Sequence, residues 1–286
     1  MANKIFVTGS NGFIGKELIT KLSISNFFYT VLDRKNTSFR DIKKLSEFIE
    51  GNDFVIHLAG KVQGDEKALI EANVDFTHFL LEAISNLDKK PVLIYASSFA
   101  VYGIQDDLLS EESLVKPMSA YGRTKLEAEK VIEKYSKEFK IPSLILRLSN
   151  IYGPGMPPYT HSVVANFMDQ AVKGLPLTIN STGEQSRDFV YLTDAVDALM
   201  RSISLGFQFH GFKIINICSG ISISMNELAK EIGNITKNKL KINYPTPDQI
   251  DKGNWIGINR KAKRILGWQP KIILKKGIKM YYEKIK

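Results

Sequence analysis

The feature that most constrains this chain is the run KIFVTGSNGFIGKEL near its start, where Gly9, Gly12 and Gly15 fall between an apolar stretch and an amphipathic one. Residues 4–8 read as a strand and 14–23 as a helix. A G-x-x-G-x-x-G turn between a strand and a helix does three things. Glycine permits the tight turn, lets backbone N–H groups close on a pyrophosphate, and lets helix and strand pack closely. The helix N-terminus then presents the positive end of its dipole to the phosphates. On this reading Gly9, Asn11, Gly12, Phe13, Ile14 and Gly15 form a dinucleotide-phosphate cradle. The bland alternative is a tight βα turn without a ligand, and the strand–turn–helix context favours the cradle.

Downstream, apolar runs alternate with helical patterns. Strands are expected over 29–33, 54–58, 92–97 and 143–148, and helices over 42–50, 66–85 and 121–139. Unbroken runs such as FVIHL and VLIYA suit a parallel sheet covered on both faces. The βαβα order predicts an α/β fold with a doubly wound parallel (Rossmann) sheet over 1–150, with about 187–210 returning to it. After Asn150 the Gly- and Pro-rich IYGPGMPPY reads as a crossing loop. Residues 151–286, with helices over 161–173, 193–205 and 224–232, are expected to form a smaller α/β substrate-binding part.

Composition narrows the function classes. The chain of 286 residues is 44% hydrophobic and 24% charged, ordinary for a globular protein. No run approaches the roughly 18 apolar residues of a membrane helix, and the N-terminus has no signal-peptide core. A cytoplasmic protein is expected. The single cysteine, Cys218, excludes an internal disulfide framework or a cysteine-rich zinc site. His161 and His210 have no metal-ligand spacing, so no metal is expected. The net charge of +9 is scattered, with small clusters at Lys43-Lys44, Lys89-Lys90 and Lys275-Lys276. It reads as solvated surface with a bias toward anionic small molecules, not as a nucleic-acid stripe.

Two further features point to redox chemistry. Asp33 ends the second strand, where a carboxylate hydrogen-bonds the adenosine ribose and repels a 2′-phosphate, favouring NAD. Arg34 beside it could pair with that phosphate, which leaves NADP open. Tyr121 and Lys125 form Y-x-x-x-K in YGRTK, a spacing that places both on one helical face. A phenol titrates near 10, too high for a base near neutrality. A neighbouring ammonium favours phenolate, so Tyr121 could take a proton from a sugar hydroxyl.

With these residues in place, the chain resembles the extended short-chain dehydrogenases/reductases, the NAD-dependent epimerase/dehydratase family of nucleotide-sugar enzymes. Ten blocks carry the resemblance in family order: TGSNGFIG, VLDR, FRDI, FVIHLAG, YASSFAVYG, YGRTK, RLSNIYGPG, RDFVYLTDAVDAL, INICSG and ILGWQP. It implies Ser98 as a third catalytic residue, with Phe99 beside it at the substrate. It implies cofactor contacts from Asp41 and Ile42 at the adenine, from Leu58, Ala59 and Gly60 under the phosphates, from Asn73, and from Lys125 at the nicotinamide ribose. Asn150 and Arg187 match positions that grip a substrate diphosphate, which a guanidinium suits through its planar fork. Read without the resemblance, Asp41 is a helix start, Arg187 an ion pair with Asp188 or Asp194, and Asn150 a turn residue. Tyr95 and Ser97 read as strand or cofactor-wall residues, His57 as core, and Trp268 as an anchor for the C-terminal helix. The implied partners are a nucleoside-diphosphate sugar and a second copy of the chain in a homodimer.

The resemblance also narrows the reaction. Sugar 4,6-dehydratases of the family carry Thr-Asp-Glu where this chain has Ser98-Phe99-Ala100. The reductase branch that also epimerises neighbouring carbons has a cysteine where Phe99 stands. A 4-epimerase is therefore expected, with a 4-keto-sugar reductase as the alternative and a non-catalytic cofactor-binding scaffold as a second. Two departures from the family pattern concern the sites. Gly60 stands where alanine is usual, and Asp248 stands in place of a nucleotide-contacting arginine. The nucleotide is thus unassigned, and a lipid-linked diphosphosugar stays open.

Overall fold

The computed structural model describes residues 3–32, 38–105, 107–157, 162–206, 209–237, 240–245 and 254–286. The first half of the chain runs β1 (Lys4–Thr8), α1 (Phe13–Ser23), β2 (Phe28–Val31), α2 (Ile42–Ile49), β3 (Phe54–His57), α3 (Glu66–Ile70), α4 (Phe76–Ser85), β4 (Val92–Ser98), α5 (Ala120–Glu138) and β5 (Ser143–Leu148). The second half adds β6 (Asn150–Tyr152), α6 (Val163–Val172), β7 (Leu177–Thr178), β8 (Ser186–Tyr191), α7 (Leu192–Gly206), β9 (Phe212–Ile217) and β10 (Ser222–Ser224). It ends with α8 (Met225–Thr236), β11 (Ile242–Asn243), β12 (Asn254–Trp255), α9 (Arg260–Leu266) and α10 (Leu274–Ile285).

Runs that are apolar on both faces have become the centre of a parallel sheet. Every residue of β3 and of β5 is buried, as two-faced strands require. The sheet has six strands in the order β2-β1-β3-β4-β5-β9, and each neighbouring pair is parallel. Helices α1, α7 and α9 bury Leu18, Leu22, Leu199 and Leu266 on one face. Helices α2, α4 and α5 bury Leu45, Leu80 and Ile132 on the other. This is the doubly wound, Rossmann-like α/β fold expected from the sequence. The chain leaves β1 in one direction to reach β2 and in the other to reach β3. The carboxyl ends of β1 and β3 therefore flank a topological switch point, where open α/β sheets bind ligands.

The later residues both return to this sheet and build a second layer. α7 lies in the first core and β9 closes the sheet edge. β8 is the hub of a smaller sheet, pairing antiparallel with β10 and parallel with β12 and β6. A third core, with Phe167, Leu228 and Ile278, joins α6, α8 and α10 beneath it. Trp268 is fully buried, and its indole donates to the carbonyl of Asp194 at 2.9 Å. It thus locks α9 and the segment leading to α10 onto α7, rather than sitting in the last helix itself.

One element departs from the sequence reading. The single helix expected over 66–85 is broken by a π-helical turn over Glu71–Asp75. Such turns are costly and cluster at functional sites; this one contains Asn73.

Candidate active site

The glycines of the opening turn are required by contact. Gly9 has φ +76°, and a Cβ there would stand 2.5 Å from the Ala59 nitrogen. A Cβ on Gly15 would stand 2.1 Å from the Gly9 carbonyl oxygen. Gly12 is exposed, and its added Cβ would meet only the Gly9 oxygen, at 3.2 Å. The turn thus closes tightly on its sheet side and stays open outward. α1 begins with no side-chain cap and no acidic residue in its first turn, so an anion can approach its N-terminus without competition. Asn11 is exposed, while Phe13 and Ile14 turn their side chains onto the core. These residues fit a dinucleotide pyrophosphate.

The second wall of the cradle follows β3. The Leu58 amide donates to the Thr8 carbonyl at 3.2 Å; Ala59 is buried and Gly60 exposed. Asn73, fully buried by its π turn, clamps this loop. Its Oδ1 accepts from the Lys61 amide at 2.8 Å, and its Nδ2 donates to the Lys61 carbonyl and to Thr124 Oγ1, each at 2.9 Å. Asn73 is therefore committed to shaping the loop, and its route to a cofactor is through Gly60 and Lys61. Asp41 caps α2 by accepting from the Lys44 amide at 3.1 Å, and Ile42 is that helix's first residue. Asp33 and Arg34 lie outside the described residues.

Ser98 and Tyr121 meet at the carboxyl end of β4. Ser98 caps the short turn Phe99–Val101 by accepting from the Ala100 amide at 3.2 Å. Gly122 explains why Tyr121 reaches it: a Cβ there would stand 2.4 Å from the Ala100 carbonyl oxygen. Only glycine lets the first turn of α5, capped by Ser119, press against the turn that follows Ser98. The two hydroxyls lie close to each other. Tyr121 keeps part of its ring surface open while its hydroxyl end is enclosed, and that burial pushes its pKa up to about 12 against the opposing pull of the Ser98 hydroxyl.

Lys125 takes a different pose from the one its spacing suggested. Its Nζ donates to the Tyr95 hydroxyl at 2.9 Å and to the Ala96 carbonyl at 2.6 Å. Burial lowers its pKa to about 7, opposed by Glu129 one turn further along α5. Glu129 is itself held by Arg147 at 2.7 Å and Ser97 at 2.5 Å. Tyr95, read from the sequence as a strand or cofactor-wall residue, is the acceptor for Lys125, and Gly122 is a contact position that motif reading passed over. The glycine inside YGRTK was the available signal for Gly122, and nothing local marked Tyr95 as the partner of Lys125.

On the substrate side, Asn150 and Arg187 lie on the paired strands β6 and β8. Asn150 Nδ2 donates to the Asp188 carbonyl at 3.0 Å. Arg187 is half-buried, with its guanidinium carbon 4.8 Å from the centre of the Trp255 ring. The two acids considered as its partners are engaged elsewhere. Asp188 accepts from Ser219, Gly220 and Gly257 amides, and Asp194 from the Lys271 and Ile272 amides. Phe99, read as a substrate contact, is 1% exposed and packs with Val101, Tyr102, Leu109 and Cys218. The turn after Ser98 points its ring into the core, which corrects that expectation. Asp248 and His161 lie outside the described residues. His57 is buried as core, as expected, between Thr8 and Thr77. No group of histidine, cysteine and acidic residues suited to a metal occurs among the described residues, and no described helix is long and apolar enough to cross a membrane.

Residues 5–218 match the model of the NAD dependent epimerase/dehydratase family. The chain belongs to this family. A relative, the dTDP-4-dehydro-6-deoxyglucose reductase of Escherichia coli, is 30% identical over 310 residues, covering 96% of this chain and 95% of that protein. The crystal structure of a UDP-glucose 4-epimerase of Thermotoga maritima with UDP-glucose matches with a TM-score of 0.89 at 27% identity, over 99% of this chain and 98% of that one. A UDP-glucuronic acid 4-epimerase of Bacillus cereus, in complex with UDP-glucuronic acid and NAD, matches at 0.85 and 28% identity over the same shares. The protein is an NAD-dependent enzyme of the epimerase/dehydratase family.

Proposed function

We propose that the protein is a nucleoside-diphosphate-sugar 4-epimerase. The observation that carries this reading is the juxtaposition of the Ser98 and Tyr121 hydroxyls at the end of β4, followed in the chain by Phe99 and Ala100. Neither offers the acid and base that elimination of water needs, and the Phe99 ring is buried. Tyr121 takes the proton of the sugar C4 hydroxyl as that carbon is oxidised, and returns it after the sugar has turned over. Ser98 shares its hydroxyl with the same sugar oxygen and keeps Tyr121 aimed at it. Bound NAD supplies the hydride acceptor for C4 and the donor for its return. The glycine cradle and the loop clamped by Asn73 would hold that cofactor, and Lys125 would contact its ribose. Arg187, stacked on Trp255, and Asn150 beside it hold the diphosphate, leaving the sugar free to turn.

A second reading is an NAD(P)H-dependent reductase of a 4-keto sugar. It is favoured by the Escherichia coli reductase, 30% identical along nearly the whole of both chains. Purified protein offered UDP-, dTDP- and GDP-sugars separates the two. An epimerase retains nicotinamide and yields the C4 epimer with no net change in NADH. Stoichiometric consumption of NAD(P)H with a 4-keto sugar would replace the epimerase reading with the reductase one.

A further inference from the structure

A buried file of polar side chains runs from the phosphate cradle to the catalytic lysine. Thr8, the last residue before the glycine turn, places Oγ1 2.6 Å from His57 Nδ1. His57 Nε2 lies 3.0 Å from Thr77 Oγ1, and the Thr77 hydroxyl adjoins that of Tyr95. Tyr95 then receives Lys125 Nζ at 2.9 Å. Thr8, His57, Thr77 and Tyr95 are all fully buried.

Donor counting gives this file a direction. Thr77 donates its one hydroxyl proton to the Asn73 carbonyl at 2.7 Å. Its oxygen is left with two acceptor positions, which suit the Nε2 proton of His57 and the hydroxyl proton of Tyr95. His57 Nδ1 then accepts from Thr8, whose oxygen accepts from the Ala59 amide at 3.4 Å. Facing a Lys125 Nζ that donates to it, Tyr95 serves as an acceptor. Together with the Ala96 carbonyl this binds two N–H groups of Nζ on the side of β4. One position is left over: a proton in the ammonium, a lone pair in the amine. Lys125 can thus gain or lose a proton without leaving its anchors. We propose that Tyr95 is a positioning residue for Lys125, an acceptor oriented through Thr77 and His57 that holds the amine in place through changes of protonation. This rests on reading Lys125 as the catalytic lysine.

The other charged or titratable groups around Nζ are Tyr121 and Glu129 on α5. Arg147 from β5 bears on it through Glu129, and His57 from β3 lies behind Tyr95; the clamped loop contributes the uncharged Gly60 and Asn73. None of these changes in Tyr95→Phe, which keeps the ring lying 4.3 Å from Nζ and removes only the oxygen.

The test is a pH titration of the lysine ε-carbon resonances in 13C-lysine-labelled protein, with and without added NAD, the Lys125 signal being assigned by its loss in Lys125→Met. An acceptor removed from a charged donor commonly changes an equilibrium about tenfold, so Tyr95→Phe should lower the Lys125 midpoint by about one pH unit. Thr77→Val should move it the same way by less, because Tyr95 loses the acceptor that orients it. An unmoved Lys125 midpoint in folded Tyr95→Phe overturns the proposal; if that variant does not fold, Thr77→Val decides in the same way. The functional reading fails separately. UDP-glucose turnover surviving in Lys125→Met would remove the lysine from the chemistry while leaving its contact with Tyr95 measurable.

Discussion

Tyr121 is enclosed at its hydroxyl beside Ser98, and burial pushes its pKa up to about 12. The chain alone therefore leaves it a weak base near neutrality, and the positive nicotinamide of bound NAD is the group that would favour phenolate. Tyr121→Phe should lower kcat by about 10²–10⁴ with NAD binding retained, as commonly follows loss of a catalytic proton carrier; near-normal turnover would remove the assignment. Lys125 makes a prediction about stability. Its ordinary value is 10.5, and burial brings it to about 7 in the fold. Between these values the unfolded chain holds the extra proton, so stability rises with pH across that window, by up to about 1.4 kcal/mol per pH unit. Below about 7 the buried ammonium weakens the fold. Lys125→Met should accordingly gain most relative to wild type near pH 6 and lose that advantage toward pH 10. Chemical denaturation at several pH values measures this, and a constant difference would mean that Lys125 is not desolvated.

At the scale of elements, the site depends on close backbone approaches that single glycines permit. Gly60 is the informative one, since a Cβ there would stand 2.6 Å from Asn73 Oδ1. That oxygen cannot retreat without breaking the clamp on Lys61 and Thr124. Gly60→Ala should cost about 1–3 kcal/mol, the scale of buried polar groups losing their partners, and should weaken NAD binding. Asn73→Ala should cost a similar amount, and the double variant less than the sum, because both disturb one loop. Strict additivity in denaturation and NAD titration would show that the loop adjusts independently of Asn73. The π turn that aims Asn73 was not visible as periodicity, for it inserts a single wide turn into an otherwise regular helical pattern.

Across the whole molecule, the cradle belongs to the six-stranded sheet and Arg187 to the smaller one, tied together by Asp188. That buried carboxylate joins β8 to the segment after β9 and to Gly257 through backbone amides. Arg187→Leu should therefore raise KM for the diphosphosugar with a smaller effect on kcat. The loss should be about 1–3 kcal/mol in kcat/KM, because the group is half-exposed and partly screened. NAD affinity, measured in the same variant, should hardly change; a loss confined to NAD would place the substrate elsewhere. The sequence by itself determined the strands of the parallel sheet up to β5, the glycine cradle and the Y-x-x-x-K pair. Those signals are local: apolar runs of strand length, a turn that only glycine can make, and a helical spacing. The tertiary structure alone decided that Phe99 turns inward and that Asp188 ties the two sheets together. It also decided that Lys125 rests on Tyr95 rather than on Tyr121. Each of these is set by contacts between segments far apart in the chain, where burial and the supply of hydrogen-bond acceptors, not spacing, select the partner.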